Sequence, residues 1–523
     1  MLPLNRSNRQ PKTNVTRPVP SVRTGRQNRH MVARAASLRG FKLLGVFSFL
    51  ASFPAASTAA DQPQWGQRWS RNMVSEERGL PERFDPKTGE NIKWSARLGT
   101  ETHSTPIVAG GRVFIGTNNG EPRDPRDQAD RGVLMCFDEN DGRFLWQLAV
   151  PKREEDPYFD WPKTGIASPV TVEGNRVYLV NNRGEVMCLD ARGAAGRTPP
   201  SQSGTNGPVI LWRFDLTADA GIWSHDAAHS SILIHGDYLY LNTGTGVDNT
   251  HKRIRAPDAP SLVVLDKASG RLVARDDEQI APRIFHCTWS SPSLGEVNGR
   301  PLLFFAGGDG IIYAFETARS GASPGEVQKL KKVWQFDFDP AAPKENVHRY
   351  NSNRREGPSN IYGMPVFYRN RVYVAGGGDP FWGKNEAWLK CIDASGSGDI
   401  TRSGERWSYS LERHVMSTPA VKDGLLFIAD FGRKVHCLDA ETGKPYWTHE
   451  IKGEVWASPL VADGKVYLGT RSGDFWVFAA SKEKRVLSSV ELGNPVSATA
   501  TAANGVLYVA TMTELYAVRK GRD

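Results

Sequence analysis

Apolar and polar positions alternate along most of this chain in short bursts, and the bursts come in pairs. STPIVAGGRVFIGT (104–117), ASPVTVEGNRVYLVN (167–181), STPAVKDGLLFIAD (417–430) and ASPLVADGKVYLGT (457–470) share one layout: a small or hydroxyl residue before proline, an alternating run, a turn, and a second alternating run. Looser copies are SSILIHGDYLYLNT (230–243), SSPSLGEVNGRPLLFFAG (290–307), GMPVFYRNRVYVAG (363–376) and SATATAANGVLYVAT (497–511). Period-two alternation on both sides of GG, GN, DG or NG predicts a β-hairpin. A third apolar run follows each hairpin, as in GVLMCFD, GEVMCLD and KVHCLD, and a fourth carries a tryptophan in FLWQLAV, VILWRFDL, KVWQFDF, ERWSYSL and PYWTHEI. Four strands per unit, recurring about every 40 residues where the loops are short, predict propeller blades. The expected fold is all-β: an eight-bladed β-propeller of four-stranded antiparallel blades.

The eighth unit ends after its third strand, at Val518. A matching fourth strand, NIKWSA (91–96), stands ahead of the first hairpin, so the ring is expected to close by pairing the two ends of the domain. Closure of this kind leaves no free sheet edge. DENDGRFLW (138–146) and DAETGKPYW (439–447) share one spacing, and DPKTGENIKW (85–94) keeps it with one extra residue. Aspartate can bond its own turn and glycine supplies a positive φ, so both belong in the turn between strands three and four. The tryptophan belongs on the outer strand, packed against the neighbouring blade. Trp94, Gly142, Trp146, Trp212, Trp334, Trp407, Gly443 and Trp447 are therefore expected to be structural. DKASGRLVA (266–274) lacks the tryptophan, which predicts a weaker seam there.

The formal net charge of +9 suggests a nucleic-acid partner, but its distribution excludes one. Residues 1–60 hold ten of the 66 Lys and Arg and no acidic residue, which leaves 56 basic against 57 acidic residues in the rest. The body is near neutral and offers phosphate backbones no general attraction. The run LLGVFSFLASF (43–53) follows Arg34, Arg39 and Lys42 and precedes small residues. It is too short to span a bilayer and suits a signal-peptide core, a short membrane anchor being the other reading. The organisation expected is an export leader over 1–60, with Met31 as the candidate initiator, and a single propeller domain over 61–523. The destination is the periplasm or the exterior, with no transmembrane segment after leader removal. Four of the five cysteines, Cys136, Cys188, Cys391 and Cys437, each stand two residues before an aspartate. One repeated position spreads them around the ring, as buried strand residues and not as disulfide partners.

The spacing in DAETGKPYW resembles the repeat AxDxxTGxxxW of the PQQ-repeat propellers, which include the quinoprotein alcohol dehydrogenases and BamB-like assembly factors. The resemblance covers roughly residues 65–520 and implies the eight-bladed fold. For the dehydrogenases it implies pyrroloquinoline quinone with calcium, a catalytic aspartate and commonly an adjacent-cysteine ring. For BamB-like proteins it implies a non-catalytic scaffold with an envelope partner. The chain has no Cys-Cys pair and no CxxCH haem motif, so no catalytic residue is assigned.

Inner propeller strands begin at one channel mouth. The positions three before each proline site are His103, Ile166, His229, Trp289, Tyr362, Met416, Trp456 and Val496, with His225, Asp226, His286 and His414 close by. His103, His225, Asp226, His229, His286, Trp289, Tyr362, His414 and Trp456 are the candidate ligand-binding residues. No HxH or HExxH spacing is present, so no metal-ligand set is assigned. Insertions at 118–131, 151–164, 245–260, 340–360 and 376–386 face the same mouth and carry Tyr158, Phe159, Trp161, Arg253, Arg255, Arg354, Arg355, Phe381 and Trp382. Those at 193–208 and 319–331 read as plain linkers on the opposite face. The leading expectation is an exported ligand- or protein-binding scaffold of the cell envelope, monomeric, taking an envelope protein, small molecule or glycan. A periplasmic PQQ-dependent alcohol or sugar dehydrogenase and a polysaccharide-active enzyme at the histidine-rich mouth are the alternatives.

Overall fold

Tight turns set the inner hairpins. Asp423-Gly424 and Asn504-Gly505 hold positive φ at both central positions, 52° and 80° and 52° and 72° respectively. That backbone has the twist that joins adjacent antiparallel strands. The computed structural model describes residues 60–156, 159–193, 207–226, 230–321 and 325–521. The proposed leader, apart from residue 60, lies outside the described residues, as do Tyr158 and His229.

Eight antiparallel sheets of four strands form the blades of a β-propeller. Two sheets carry a fifth, two-residue strand, Gln328–Lys329 and Gly398–Asp399, which pairs parallel to the outer strand of the preceding blade. The segment 319–331 is therefore more than a linker. It clips the blade whose outer strand, Leu272–Arg275, has no tryptophan, and that seam is filled further by Ile280, Ile284, Tyr313 and Phe315. Closure follows the expected pairing: Ile92–Arg97 runs antiparallel to Glu514–Val518, with Trp94 opposite Ala517.

The aspartate–glycine–tryptophan signature is the seam itself. Each indole N–H donates to a main-chain carbonyl in the next blade: Trp94 to Glu139, Trp146 to Ala191, Trp212 to Lys267, Trp334 to Ala394, Trp407 to Ala440 and Trp447 to Ser481. For Trp94, Trp146, Trp212 and Trp407 the ring face lies on the glycine of that blade's turn. A Cβ on Gly142 would stand 2.6 Å from the Trp94 ring, and one on Gly443 2.6 Å from Trp407. The repeated cysteines sit directly across the strand pair from the indoles: Cys136 from Trp146, Cys188 from Trp212, Cys391 from Trp407 and Cys437 from Trp447. Where cysteine is absent, Ala314 faces Trp334 and Ala517 faces Trp94, so the position wants a small residue beside a large one. All five cysteines are free and buried.

The hydroxyls before the prolines are explained by the channel. Ser104, Ser290 and Ser417 donate to the carbonyls of Ser168, Gly363 and Ala457, each in the following blade. Ser231, Met364, Thr418 and Ser458 amides donate to hydroxyls of the next blade in the same way. These bonds tie the inner strands into a ring and satisfy polar groups that face no other partner.

Residues 60–77 form a strap that seals the mouth at the hairpin-turn end. Val108 and Val172 amides donate to Gln62 and Pro63 carbonyls; Leu294 and Phe367 amides donate to Trp69 and Ser70; Val461 donates to Met73. Trp69 donates to the Ile234 carbonyl, Asn72 exchanges two bonds with Val421, and Glu77 accepts from the Gly505 amide. Every blade is touched. At the centre Arg71, fully buried, donates to the carbonyls of Trp65, Ser231 and Pro292 and to the Ser231 hydroxyl. Burial pulls its guanidinium down to about 9. Arginine's five donors suit this position, because carbonyls arranged round the channel can take them in several directions.

Gly443→Ala carries both a left-handed backbone (φ 70°) and a collision with Trp407, whereas Gly424→Ala (φ 80°) meets nothing within 4 Å. The expected cost is about 1 kcal/mol for Gly424→Ala and about 3 kcal/mol for Gly443→Ala. Calorimetric melting of the two variants checks it; equal shifts would remove the packing role given to Gly443.

Candidate functional site

The opposite mouth, where the inner strands begin, carries the candidate residues. Backbone bridges fix the first pair. The segment 244–247 lies between the residues leading into the third and fourth inner strands: His225 N donates to Gly244 O, Val247 N to His286 O, and Thr288 N to Thr245 O. Gly246 permits the approach, since a Cβ there would lie 2.7 Å from His225 Cβ and 2.6 Å from His286 O. The two imidazoles meet with Nε2 atoms 3.1 Å apart, both rings buried.

His251 joins them from the inserted loop 245–260. Its backbone is left-handed (φ 56°) in a turn capped by Asp248, whose carboxylate accepts from the Thr250 amide and hydroxyl and from Arg253 Nε. The ring centroid stands 4.9 Å from His225 and 5.2 Å from His286, with Trp382 packed over it at 4.6 Å. The ligand nitrogens of His225, His251 and His286 all lie within 4.8 Å of one another. No local sequence spacing announces this grouping, and His251 is the member that sequence reasoning missed. Its one signal was its place in an insertion on the mouth face.

Asp379 anchors the far side. One carboxylate oxygen accepts from the amides of Phe381 and Trp382 at 2.9 and 2.6 Å. The other accepts from the Tyr362 hydroxyl and lies 2.9 Å from His286 Nδ1. Burial raises the cost of its charge, but the His286 ring and these donors outweigh that and hold the carboxyl below its usual range. Burial likewise opposes charging His286, and Asp379 reverses the balance, so this imidazole is raised. Burial brings His225 down to about 4, a shift that Asp226, 3.7 Å from its Nε2, offsets only in part. The two facing rings are thus pushed apart in basicity by one carboxylate.

Around them stands an aromatic wall. Trp289 packs on Tyr362 at 4.7 Å and against His286 at 5.6 Å. Trp456 stacks on Phe431 (6.2 Å) and His103 (5.9 Å), with the Arg471 guanidinium 4.5 Å from its ring. Phe381 stands between the two halves, 6.0 Å from His286, 6.2 Å from Trp289 and 6.1 Å from Trp456, and is 38% exposed. Its loop is held by Arg354, which donates to the carbonyls of Pro380, Phe381 and Gly383.

Of the candidate residues, His103, His225, His286, Trp289, Tyr362 and Trp456 come together here. Asp226 is adjacent, its Oδ2 3.7 Å from His225 Nε2 and its Oδ1 buried without a hydrogen bond among the described residues, on a left-handed backbone (φ 51°). His414 has a supporting place: its Nε2 lies 2.8 Å from the Lys384 carbonyl, under the Asp379 loop. Ile166 and Val496 are fully buried packing residues. His229 lies outside the described residues.

The family model described as outer membrane protein assembly factor BamB matches residues 70–150, 129–322 and 385–522. Among curated proteins, lupanine 17-hydroxylase [cytochrome c] of Pseudomonas sp is 22% identical over 422 residues, 75% of this chain and 55% of that protein. The quinohemoprotein alcohol dehydrogenase of Comamonas testosteroni is 31% identical over 108 residues, 18% of this chain and 15% of that protein. The chain thus spans about half the length of the first and a small part of the second. Among solved structures, BamB from Moraxella catarrhalis superposes with a TM-score of 0.50 at 13% identity, covering 82% of this chain and 97% of that one. Quinohemoprotein alcohol dehydrogenase ADHIIG from Pseudomonas putida HK5 gives 0.54 at 11% identity, covering 88% and 81%. Likeness at these identities establishes the propeller fold.

Asp379→Ala removes a buried carboxylate that four donors share. The expected loss is about 3 kcal/mol, with exchange of the Phe381 and Trp382 amides faster by about 10-fold or more. Hydrogen-exchange mass spectrometry over 376–386 checks it; unchanged protection would show that the loop does not depend on Asp379.

Proposed function

The chain belongs to the family described as outer membrane protein assembly factor BamB, and from that premise we propose that it is a binding scaffold of the cell envelope whose ligand enters the aromatic mouth. Residues 1–60 serve as the export leader and 61–523 as the single propeller domain that acts after export, as a monomer. No helix among the described residues is long and apolar enough to cross a membrane. The ligand class is a ring-bearing small molecule or glycan, whose flat faces suit aromatic walls and whose polar edges suit histidine and arginine.

The observation that carries this reading is Phe381. An apolar ring left 38% exposed is ordinarily turned inward, yet here the loop presenting it is locked by Asp379 and Arg354. Three further rings border it, and the strap covers the other end of the channel, so the mouth presents an aromatic surface on a rigid ring. Side chains that bind commonly ride on loops fixed by such a scaffold.

Kinship with quinone-dependent dehydrogenases supplies the alternative, in which pyrroloquinoline quinone and calcium occupy the mouth. The donors do not suit that group. Calcium takes 6–8 oxygen ligands, whereas the groups that converge here are imidazole nitrogens, and both oxygens of Asp379 are already engaged. Four of the five cysteines are buried in blade strands, and Cys287, buried beside His286 at the mouth, has no adjacent cysteine with which to form a ring over a quinone.

A panel of aldoses, oligosaccharides and aromatic acids, followed by tryptophan fluorescence and calorimetry, tests the reading. The expected result is saturable binding in the micromolar to millimolar range, weakened about 10-fold or more by Phe381→Ala with the melting temperature unchanged. Dye reduction with alcohols or sugars on adding the quinone and calcium, with no ring ligand found, would replace this reading with the dehydrogenase.

A further inference from the structure

We propose that His225, His251 and His286 bind a divalent first-row transition-metal ion of the zinc class, with Asp226 as the oxygen donor completing the set. This goes beyond the ring-ligand reading and stands without it.

The nitrogens are already close to the spacing such an ion imposes. Around a tetrahedral zinc with ordinary Zn–N bonds, ligand nitrogens lie about 3.3 Å apart. His225 and His286 Nε2 stand 3.1 Å apart, and all three ligand nitrogens lie within 4.8 Å. Rotation of the His251 ring covers the remaining distance of about 1.5 Å. A simple N–H···N bond accounts for the His225–His286 pair in one tautomer. It gives no reason for a third imidazole to be brought to the same point.

The surroundings match what a ligating imidazole needs. His286 Nδ1 lies against the Asp379 carboxylate at 2.9 Å, which leaves Nε2 for the cluster. A carboxylate behind a histidine in this way fixes ring orientation and raises ligand basicity. That carboxylate is itself pinned by Tyr362 and two amides, so the support is rigid. The backbones of His225 and His286 are held by the bridges through 244–247 and that of His251 by its capped turn, which leaves the His251 ring, packed beside Trp382, free to turn toward the other two. Asp226 supplies the independent sign: its Oδ1 is buried with no hydrogen-bond partner among the described residues, beside His225, on a left-handed backbone. A carboxylate oxygen without a donor is costly unless a cation satisfies it. Imidazole with one carboxylate selects zinc, copper, nickel, cobalt or ferrous ions over calcium and magnesium.

The test uses the full chain without a polyhistidine tag, stripped with chelator and titrated with Co2+ and then Zn2+. The expected result is one Co2+ per chain, ligand-field absorption in the visible, its displacement by Zn2+, and a rise in melting temperature with either ion. His286→Gln and His251→Gln should each weaken Co2+ binding about 100-fold, while His449→Gln, on an outer strand away from the mouth, should bind as the parent does. His251 lies on a half-buried loop, so its variant decides the matter if the buried variants misfold. Absence of stoichiometric Co2+ binding, or binding kept in a folded His251→Gln protein, overturns the proposal. Either result leaves ring-ligand binding by the chelated protein to be judged on its own titration.

Discussion

The contact between a tryptophan of one blade and the turn of the next is the constraint on which this molecule depends. A four-stranded sheet of this kind is apolar on both faces and cannot stand alone. It becomes stable only between two neighbours, and at six of the eight seams an indole sets the distance and register. At four of these seams the ring face rests on a glycine, at five the indole N–H takes the carbonyl one residue past the turn aspartate, and the strand partner is small. Gly443, Ala440 and Cys437 are three consequences of placing two large rings, Trp407 and Trp447, in successive blades. Burying an indole in this way contributes a few kcal/mol per seam, and closing the circle removes the edge strands that would otherwise invite association.

Closure also makes the two mouths unequal. The strap over 60–77 uses the exposed ends of the inner hairpins as hydrogen-bonding stations and drives Arg71 into the channel among carbonyls. The other mouth is left to the inserted loops, which fold on one another: Asp156 of one loop accepts from Asn249 and Arg255 of the next, and Asn351 of a third donates to the His251 carbonyl. A stiff ring below and cross-bonded loops above can hold side chains in positions that a lone loop could not.

The mouth is also where the structure departs from an ordinary satisfied interior. Blade interiors hold valine, leucine and phenylalanine with their polar backbone in ladders. At the mouth, two buried imidazoles face each other, a buried carboxylate serves four donors, and Asp226 keeps a left-handed backbone. Such departures destabilise unless the surroundings enforce them, and they concentrate where a protein acts. The enforcing elements are visible: Gly246 lets two histidine backbones converge, and Arg354 holds the turn that aims Phe381.

The sequence by itself determined the number of blades, their four strands, the closing role of Ile92–Arg97 and the placing of Trp94, Trp146 and Trp447 at seams. These are consequences of local periodicity: alternation, turn chemistry and a fixed spacing repeat whatever the rest of the chain does. It also pointed to His103, His225, His286, Trp289, Tyr362 and Trp456, because position within a repeat implies position in the ring. The tertiary structure alone decided that His251 reaches His225 and His286, that Asp379 stands behind His286, that His414 supports the loop beneath, and that 60–77 seals one end. The strap has no period to read, and its partners are spread over the whole chain. Side chains from three different blades become neighbours only once the circle closes, and their distances depend on loops whose course is set by contacts with each other.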